Sequence, residues 1–227
     1  MKNFYYYIPI FLQKVGWLLF GTIYKVFFHI EIRGKENLSL VTKPVILAAN
    51  HTSELDVTAV ELIFPLFSKF YPIYFVSDPK EKFKSFGWRN YIYGGVFFNV
   101  LGGYPIHSGH KDYAVSLENH IDLLKKGQTV FIFPEGKRTQ DGSLNPARGG
   151  LGYMVAATDC MVVPIAINTF HNISWVDFFL RRKKVVITVL KPMTKEEIMP
   201  MQAPTVEDCR AGSQKVLDRI NALLLNL

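Results

Sequence analysis

Cysteine is scarce, with only Cys160 and Cys209 in 227 residues. Two isolated thiols provide neither a disulfide framework nor metal-ligand spacing, and they fit a reducing, cytosol-facing compartment. Both are read as packing residues. Charge is also sparse, at 20% against 49% hydrophobic and 14% aromatic residues. That balance is greasy for a soluble domain and too charged for a polytopic membrane protein, so a surface that touches lipid suits it. Acids are the scarcer sign, 19 against 26 Lys and Arg, leaving a net charge of +7. The excess favours anionic partners: nucleic acid, acidic headgroups or phosphorylated small molecules. No recognised nucleic-acid-binding module accompanies the charge, so nucleic acid is not expected. Repeats and low-complexity tracts are absent, and the length suits one domain with a full core or one domain plus an appendage.

Also missing is an uninterrupted run of the roughly 20 apolar residues that a spanning helix needs. The stretch "FYYYIPIFLQKVGWLLFGTIYKVFFHI", residues 4–30, is broken by Gln13, Lys14 and Lys25, so a clean transmembrane span is not expected. No small-residue cleavage site follows it, which argues against a signal peptide. Two readings remain. One is an amphipathic helix or helix pair in the headgroup zone, with Tyr5, Tyr6, Tyr7, Trp17 and Tyr24 at the interface and the lysines snorkelling. The other is a helix packed on the domain. The aromatic surface exceeds what one buried helix face requires, which favours membrane contact. Residues 1–27 are therefore set apart as a membrane-interface segment, and 28–227 as the main domain.

From there the pattern alternates. "FHIEIRG" has the period-two signature of a half-buried strand ending at Gly34, and "PVILAAN", residues 44–50, reads as a strand buried on both faces. A helix is expected from Ser53 towards Phe64, stopped by Pro65. "IYFVS" reads as a strand. The glycine-broken segment Lys80 to Tyr104 suggests one or two short helices. Ala114, Leu117, Ile121 and Leu124 form one face of a helix over Asp112 to Lys126, closed by Gly127. "TVFIFP", "MVVPIAI" and "KVVITVL" read as strands, residues 150–158 as a short helix, and Val216, Ile220, Leu223 and Leu224 as the apolar face of a C-terminal helix. The fold class is α/β: a mixed, largely parallel sheet flanked by helices.

Sites in such sheets gather at the carboxyl ends of strands. "NHTSELD", residues 50–56, leaves one of them. Five residues correspond to about 140° of rotation within a helix, so His51 and Asp56 meet only if His51 stands outside it. A carboxylate on one imidazole nitrogen fixes the tautomer and stabilises the imidazolium formed when the other nitrogen takes a proton. The alternative is a capping box, with Ser53 accepting from the Asp56 amide and Asp56 reaching back to the Ser53 amide. "FPEGKRT", residues 133–139, leaves another strand and brings Gly136, Lys137, Arg138 and Thr139 to the same edge. Arg138 offers a planar fork for phosphate, Lys137 a point charge, and Gly136 close backbone approach.

Together "NHTSELD" and "FPEGKRT" resemble the paired signatures of the glycerolipid acyltransferases typified by 1-acylglycerol-3-phosphate acyltransferase. "IRGKENL", "ARGGLGYMVAATDCMVVPIAI" and "VVITVLKPMTKEE" look like further blocks of that family, so the resemblance covers most of the chain. It implies that 28–227 is an acyltransferase domain moving an acyl group from acyl-CoA or acyl carrier protein to a glycerolipid hydroxyl, without metal, cofactor or covalent intermediate. It also implies His51 as general base with Asp56 orienting it. Acceptor contacts are implied at Glu135, Gly136, Lys137, Arg138, Thr139 and Arg148. Pro164 matches a family proline and is read as a strand-edge residue. Where the family usually ends its intermediate motif in arginine, "GGYPIHSG" has His107, which leaves open a lyso-aminolipid, a glycolipid or glycerol 3-phosphate as acceptor. A non-catalytic lipid-binding relative and a thioesterase are the remaining alternatives. His107 and His110 lack a third ligand and are not read as a metal site. "WVDFFLRRKK", residues 175–184, and "KEKFKSFGWRNY", residues 80–91, place aromatics beside cations. They suit an anionic bilayer on the cytoplasmic side, the phosphates of CoA or an acidic carrier protein.

Overall fold

The apolar runs become the middle of a seven-stranded sheet in the computed structural model, which describes residues 4–42, 44–78, 101–107, 112–168, 171, 173–201 and 203–226; for residues 4–7 and 175 only the backbone is described. The strands are β1 (His29–Arg33), β2 (Val45–Ala49), β3 (Ile73–Ser77), β4 (Gly103–Pro105), β5 (Thr129–Ile132), β6 (Met161–Asn168) and β7 (Lys184–Val189). Their order is β1-β7-β6-β2-β5-β3-β4. All pairs are parallel except β6 with β7. The mixed, largely parallel sheet read from the sequence is thus the one observed. β1 and β7 run against the other five strands, so their amino ends share an edge with the carboxyl ends of β2 to β6.

The helices are α1 (Phe4–Phe27), α2 (Leu55–Val60), α3 (Tyr113–Ser116), α4 (Glu118–Lys125), α5 (Gly150–Thr158), α6 (Trp175–Phe179), α7 (Lys195–Ile198) and α8 (Val206–Leu224). β2 is buried along its whole length because both sheet faces are covered. Val45, Leu47 and Ala49 join α1 and α2 in one core. Ile46 and Ala48 join α4, α5 and α8 in the other. The connection after β2 therefore leaves over one face and the connection after β5 over the other. Between adjacent strands, that divergence opens a crevice at their carboxyl ends.

Several elements differ from expectation. The helix after His51 is shorter, α2 passing into a 3₁₀ turn over Glu61–Ile63 before Pro65. The helix expected over Asp112 to Lys126 is broken at Leu117, whose φ of −113° and ψ of 12° separate α3 from α4. β4 lies where only helices were expected; three residues are too few to show a period. Residues 79–100, including all of "KEKFKSFGWRNY" and most of the segment where those helices were expected, lie outside the described residues. Pro164 is not at a sheet edge: β6 lies between β2 and β7. Its missing N–H falls where the antiparallel pairing is interrupted, between the Leu190 amide on the Pro164 carbonyl and the bridge of Val162 with Met193. Cys160 and Cys209 are buried free thiols, as packing residues should be.

α1 is one continuous helix, not a pair. By length and composition Ile8–Phe27 could cross a membrane, despite the interruptions by Gln13, Lys14 and Lys25. One face is fastened to the domain by polar side chains. The Gln13 amide donates to the carbonyls of Ile73 (2.6 Å) and Leu101 (2.9 Å) and accepts from the Ile73 amide (3.0 Å). The Trp17 indole donates to Phe64 O at 3.0 Å, and the Tyr24 hydroxyl to Leu55 O at 2.9 Å. Beneath α1, close to Gly16, lies the Glu61 carboxyl, whose burial pushes its pKa from 4.5 up to about 8. The folded chain keeps that proton while the unfolded chain releases it near 4.5, so stability falls as pH rises from about 5 towards 8. Glu61→Gln should remove this slope, about 1 kcal/mol per pH unit. Urea denaturation at pH 5 and pH 8 measures it: the variant gains stability over the parent at pH 8 and little at pH 5.

Candidate active site

Parallel pairing of β2 with β5 puts Ala48 level with Ile132, so the residues that follow each strand emerge side by side. The chain leaving β2 turns at His51 and enters α2, which places Asp56 in the first turn. Asp56 is fully buried. Its Oδ2 accepts from the amides of Thr52 (2.6 Å) and Ser53 (2.7 Å) and from His51 Nδ1 (3.1 Å). The two readings of "NHTSELD" therefore merge, because one carboxylate both holds the helix entry and grips the imidazole. Only the acid's half of the capping box forms; Ser53 Oγ accepts from Leu55 N instead, at 3.3 Å.

With Nδ1–H donated to Asp56, the lone pair of the neutral ring lies on Nε2, which has no hydrogen-bond partner among the described residues. The ring stacks on Phe133, centroids 3.9 Å apart and planes within 9°. Asn50 locks the preceding residue, its side chain bonding both the amide and the carbonyl of Ile167 at 2.8 Å. Imidazole orientation is therefore set from three directions: a carboxylate, an aromatic face and a pinned backbone. This arrangement can accept a proton at Nε2 without first reorganising.

The second motif divides in two. Glu135 is 1% exposed. Its Oε1 accepts from the His51 amide at 2.8 Å, and its Oε2 from the Asn145 amide (2.7 Å) and side chain (3.0 Å). Thr139 is also buried, its amide on His51 O and its hydroxyl shared between Asp141 and Gly142. Both face the protein and tie the two motif loops together. Gly136, Lys137, Arg138 and Arg148, by contrast, are exposed. Gly136 has φ +65°, and a Cβ there would lie 2.7 Å from Arg148 Cδ; the arginine crosses the turn where only glycine leaves room. Neither Lys137 nor Arg148 has an ion pair among the described residues. Arg138 pairs with Glu54 of the first motif at 3.3 Å. The imidazole and three cations thus share one end of the crevice. His107 lies on the far side of it, past β4, with Nε2 3.2 Å from the Asn119 amide nitrogen. His110 falls outside the described residues.

The profile of the family described as Acyltransferase matches residues 29–168, more than half of the sequence. The chain belongs to the acyltransferase family. Among its relatives it is 31% identical over 143 residues to "1-acyl-sn-glycerol-3-phosphate acyltransferase BAT2, chloroplastic" of Brassica napus, covering 62% of this chain and 38% of that one. It is 23% identical over 203 residues to "1-acyl-sn-glycerol-3-phosphate acyltransferase alpha" of Mus musculus, covering 84% and 64%. The chain therefore spans less than two thirds of the length of these relatives. The crystal structure of "the 1-acyl-sn-glycerophosphate (LPA) acyltransferase, PlsC, from Thermotoga maritima" shares its fold, with a TM-score of 0.61 at 22% identity over 97% of this chain and 80% of that one.

Three features of this family member's site escaped the sequence reading. Phe133 carries no signal of its own in the sequence, and its stacking on His51 follows from the level register of β2 and β5. Asn145 stands in an unpatterned loop. Glu54 is an ordinary exposed acid until the fold brings Arg138 to it.

Proposed function

We propose that the protein transfers a fatty acyl group from a thioester, acyl-CoA or acyl carrier protein, to the free hydroxyl of a lysophosphatidate-type glycerolipid. The observation that carries this reading is the imidazole whose Nδ1 is held by Asp56 and whose Nε2 is free, level with the turn bearing Arg138. His51 Nε2 removes the hydroxyl proton as the oxygen attacks the thioester carbonyl. The tetrahedral adduct then collapses, the C–S bond breaks, and the departing thiolate takes the proton back from His51, leaving ester and thiol. Lys137, Arg138 and Arg148 hold the acceptor phosphate. Glu135 and Thr139 position the loops rather than touch the acceptor.

Arg138 is already paired with Glu54, so an incoming phosphate competes with a carboxylate. Arg138→Ala should raise the acceptor KM about tenfold with a smaller change in kcat, as expected for loss of a charge-assisted contact. Glu54→Gln should lower it by roughly two- to fivefold, the scale of an exposed ion pair. Steady-state kinetics on lysophosphatidate checks both.

The same reading places the protein on a membrane, at its cytoplasmic side, where buried free thiols suit a reducing compartment. α1 exposes Phe11, Leu18, Leu19 and Phe20 while Gln13, Trp17 and Tyr24 fasten its other face to the domain. Those anchors extend over about 16 Å of helix, half of a bilayer's hydrocarbon core, which leaves no room to span it. α1 lies in the interface plane, and the lipid acceptor reaches His51 without leaving the bilayer. The test is thiol release by the purified protein against a panel of lysophosphatidate, lyso-aminolipid, glycolipid and glycerol 3-phosphate, with CoA and carrier-protein donors. Release that depends on lysophosphatidate is expected. Release without any acceptor would indicate a thioesterase, and none with any pairing would indicate a lipid-binding relative.

A further inference from the structure

Cations that the site does not use gather farther along the same sheet edge. The amino ends of β7 and β1, two and three strands from β2, are about 10 and 14 Å away at the usual strand spacing. An open groove of about 410 Å³ lies there, and its polar lining is Lys25, His29, Glu31, Arg181 and Lys184. α6 closes one side. Phe178 stacks on Phe27 at 4.5 Å and meets Phe28 edge-on at 5.3 Å, while Phe179 meets Phe27 edge-on at 5.8 Å. These contacts fix α6 to the carboxyl end of α1. Val176, Phe179 and Leu180 stay exposed at 54, 62 and 59% and continue the apolar strip of α1, which ends at Ile23 and Val26.

Lys25 and the run from Arg181 to Lys184 surround that apolar rim, with Glu31 and Asp177 as opposing acids. Glu31 is already engaged by Arg33 and Lys184, and Asp177 by Ser174. Lys25, Arg181 and Arg182 form no ion pair among the described residues. Arg181 adopts φ +51° at the stop of α6, where its amide bonds Phe178 O and the next amide bonds Asp177 O. Glycine fits that position without strain. An arginine stands there instead, its guanidinium reaching Lys25 O at 3.3 Å at the end of α1. A charge kept at a backbone position that favours glycine argues that the charge is used.

We infer that α6 and the basic groove form a docking surface for the anionic headgroups of a bilayer, turning the His51 edge of the sheet towards the lipid. This rests on the reading that α1 lies in the membrane plane. Apolar side chains beside the cations favour a bilayer over a soluble donor, whose phosphates would leave Val176, Phe179 and Leu180 in water.

The test is sedimentation of the full chain with vesicles of phosphatidylcholine alone and of phosphatidylcholine with phosphatidylglycerol. The parent should bind the anionic vesicles more tightly. Lys25→Gln/Arg181→Gly/Arg182→Gln should lose that preference, about fivefold per cation and about 100-fold in all, and keep its binding to neutral vesicles. Arg181→Gly alone relieves the backbone, so a fivefold loss there is not a folding defect. Equal binding of the parent to both vesicles, or full preference in the triple variant, would overturn the docking surface and leave the placement of α1 standing. No binding to either would sink both. The KM for acyl-CoA with detergent-dispersed acceptor should not change in the triple variant; a rise would assign the groove to the donor's phosphates and overturn the inference.

Discussion

His51→Ala should lower kcat for acyl transfer by about 10²- to 10⁴-fold, the range for loss of a positioned general base, and leave the acceptor KM nearly unchanged. The ring is partly exposed, and its removal vacates one bond to Asp56 and one stacking partner of Phe133. Stability should therefore change by only about 1 kcal/mol. Asp56→Asn tests a different property. Asp56 Oδ2 accepts two backbone amides as well as the imidazole, and an asparagine oxygen in its place would accept all three without the charge, so each bond weakens. Loss of activity in that variant should come with a lower Tm, whereas in His51→Ala it should not. Equal loss of Tm in both would mean that His51 acts by holding the loop.

Glu135→Ala should lower Tm by roughly 10 °C and kcat together, and leave the acceptor KM close to that of the parent. The substitution orphans three donors, the amide of His51 and the amide and side chain of Asn145. At about 1–3 kcal/mol for each buried group left unpaired, three donors total roughly 3–9 kcal/mol, towards the lower end because Asn145 is only half-buried, and a chain of this length shifts by about 2–4 °C per kcal/mol. Activity falls because the freed amide is that of His51 itself. Thermal unfolding with steady-state kinetics separates this from an acceptor-contact role, which would raise KM and leave Tm unmoved.

The sheet was legible because its central strands are continuous apolar runs: "VILAA" and "TVFI" sit between strands and under helices on both faces, and burial alone specifies them. β4 and the break at Leu117 were not, since a three-residue strand and a single distorted residue leave no period to detect. Within the site, His51 and Asp56 could be paired from spacing because both lie in one loop. The part played by Glu135 could not, because its partners are 84 and 10 residues away and are mostly backbone amides, which leave no mark on sequence. For α1, composition recorded the apolar face. Gln13 and Lys14 read alike as interruptions, although the first turns inward to Ile73 and the second lies over the Phe67 ring.

The proposed mechanism needs Asp56 to hold the Nδ1–H of His51 and leave Nε2 free to take the acceptor's proton. Nitrogen NMR of the labelled imidazole, at a pH where the ring is neutral, tests it most directly. The parent should show the Nδ1–H tautomer and Asp56→Ala should lose that preference; an Nε2–H ring in the parent would rule out His51 Nε2 as the base.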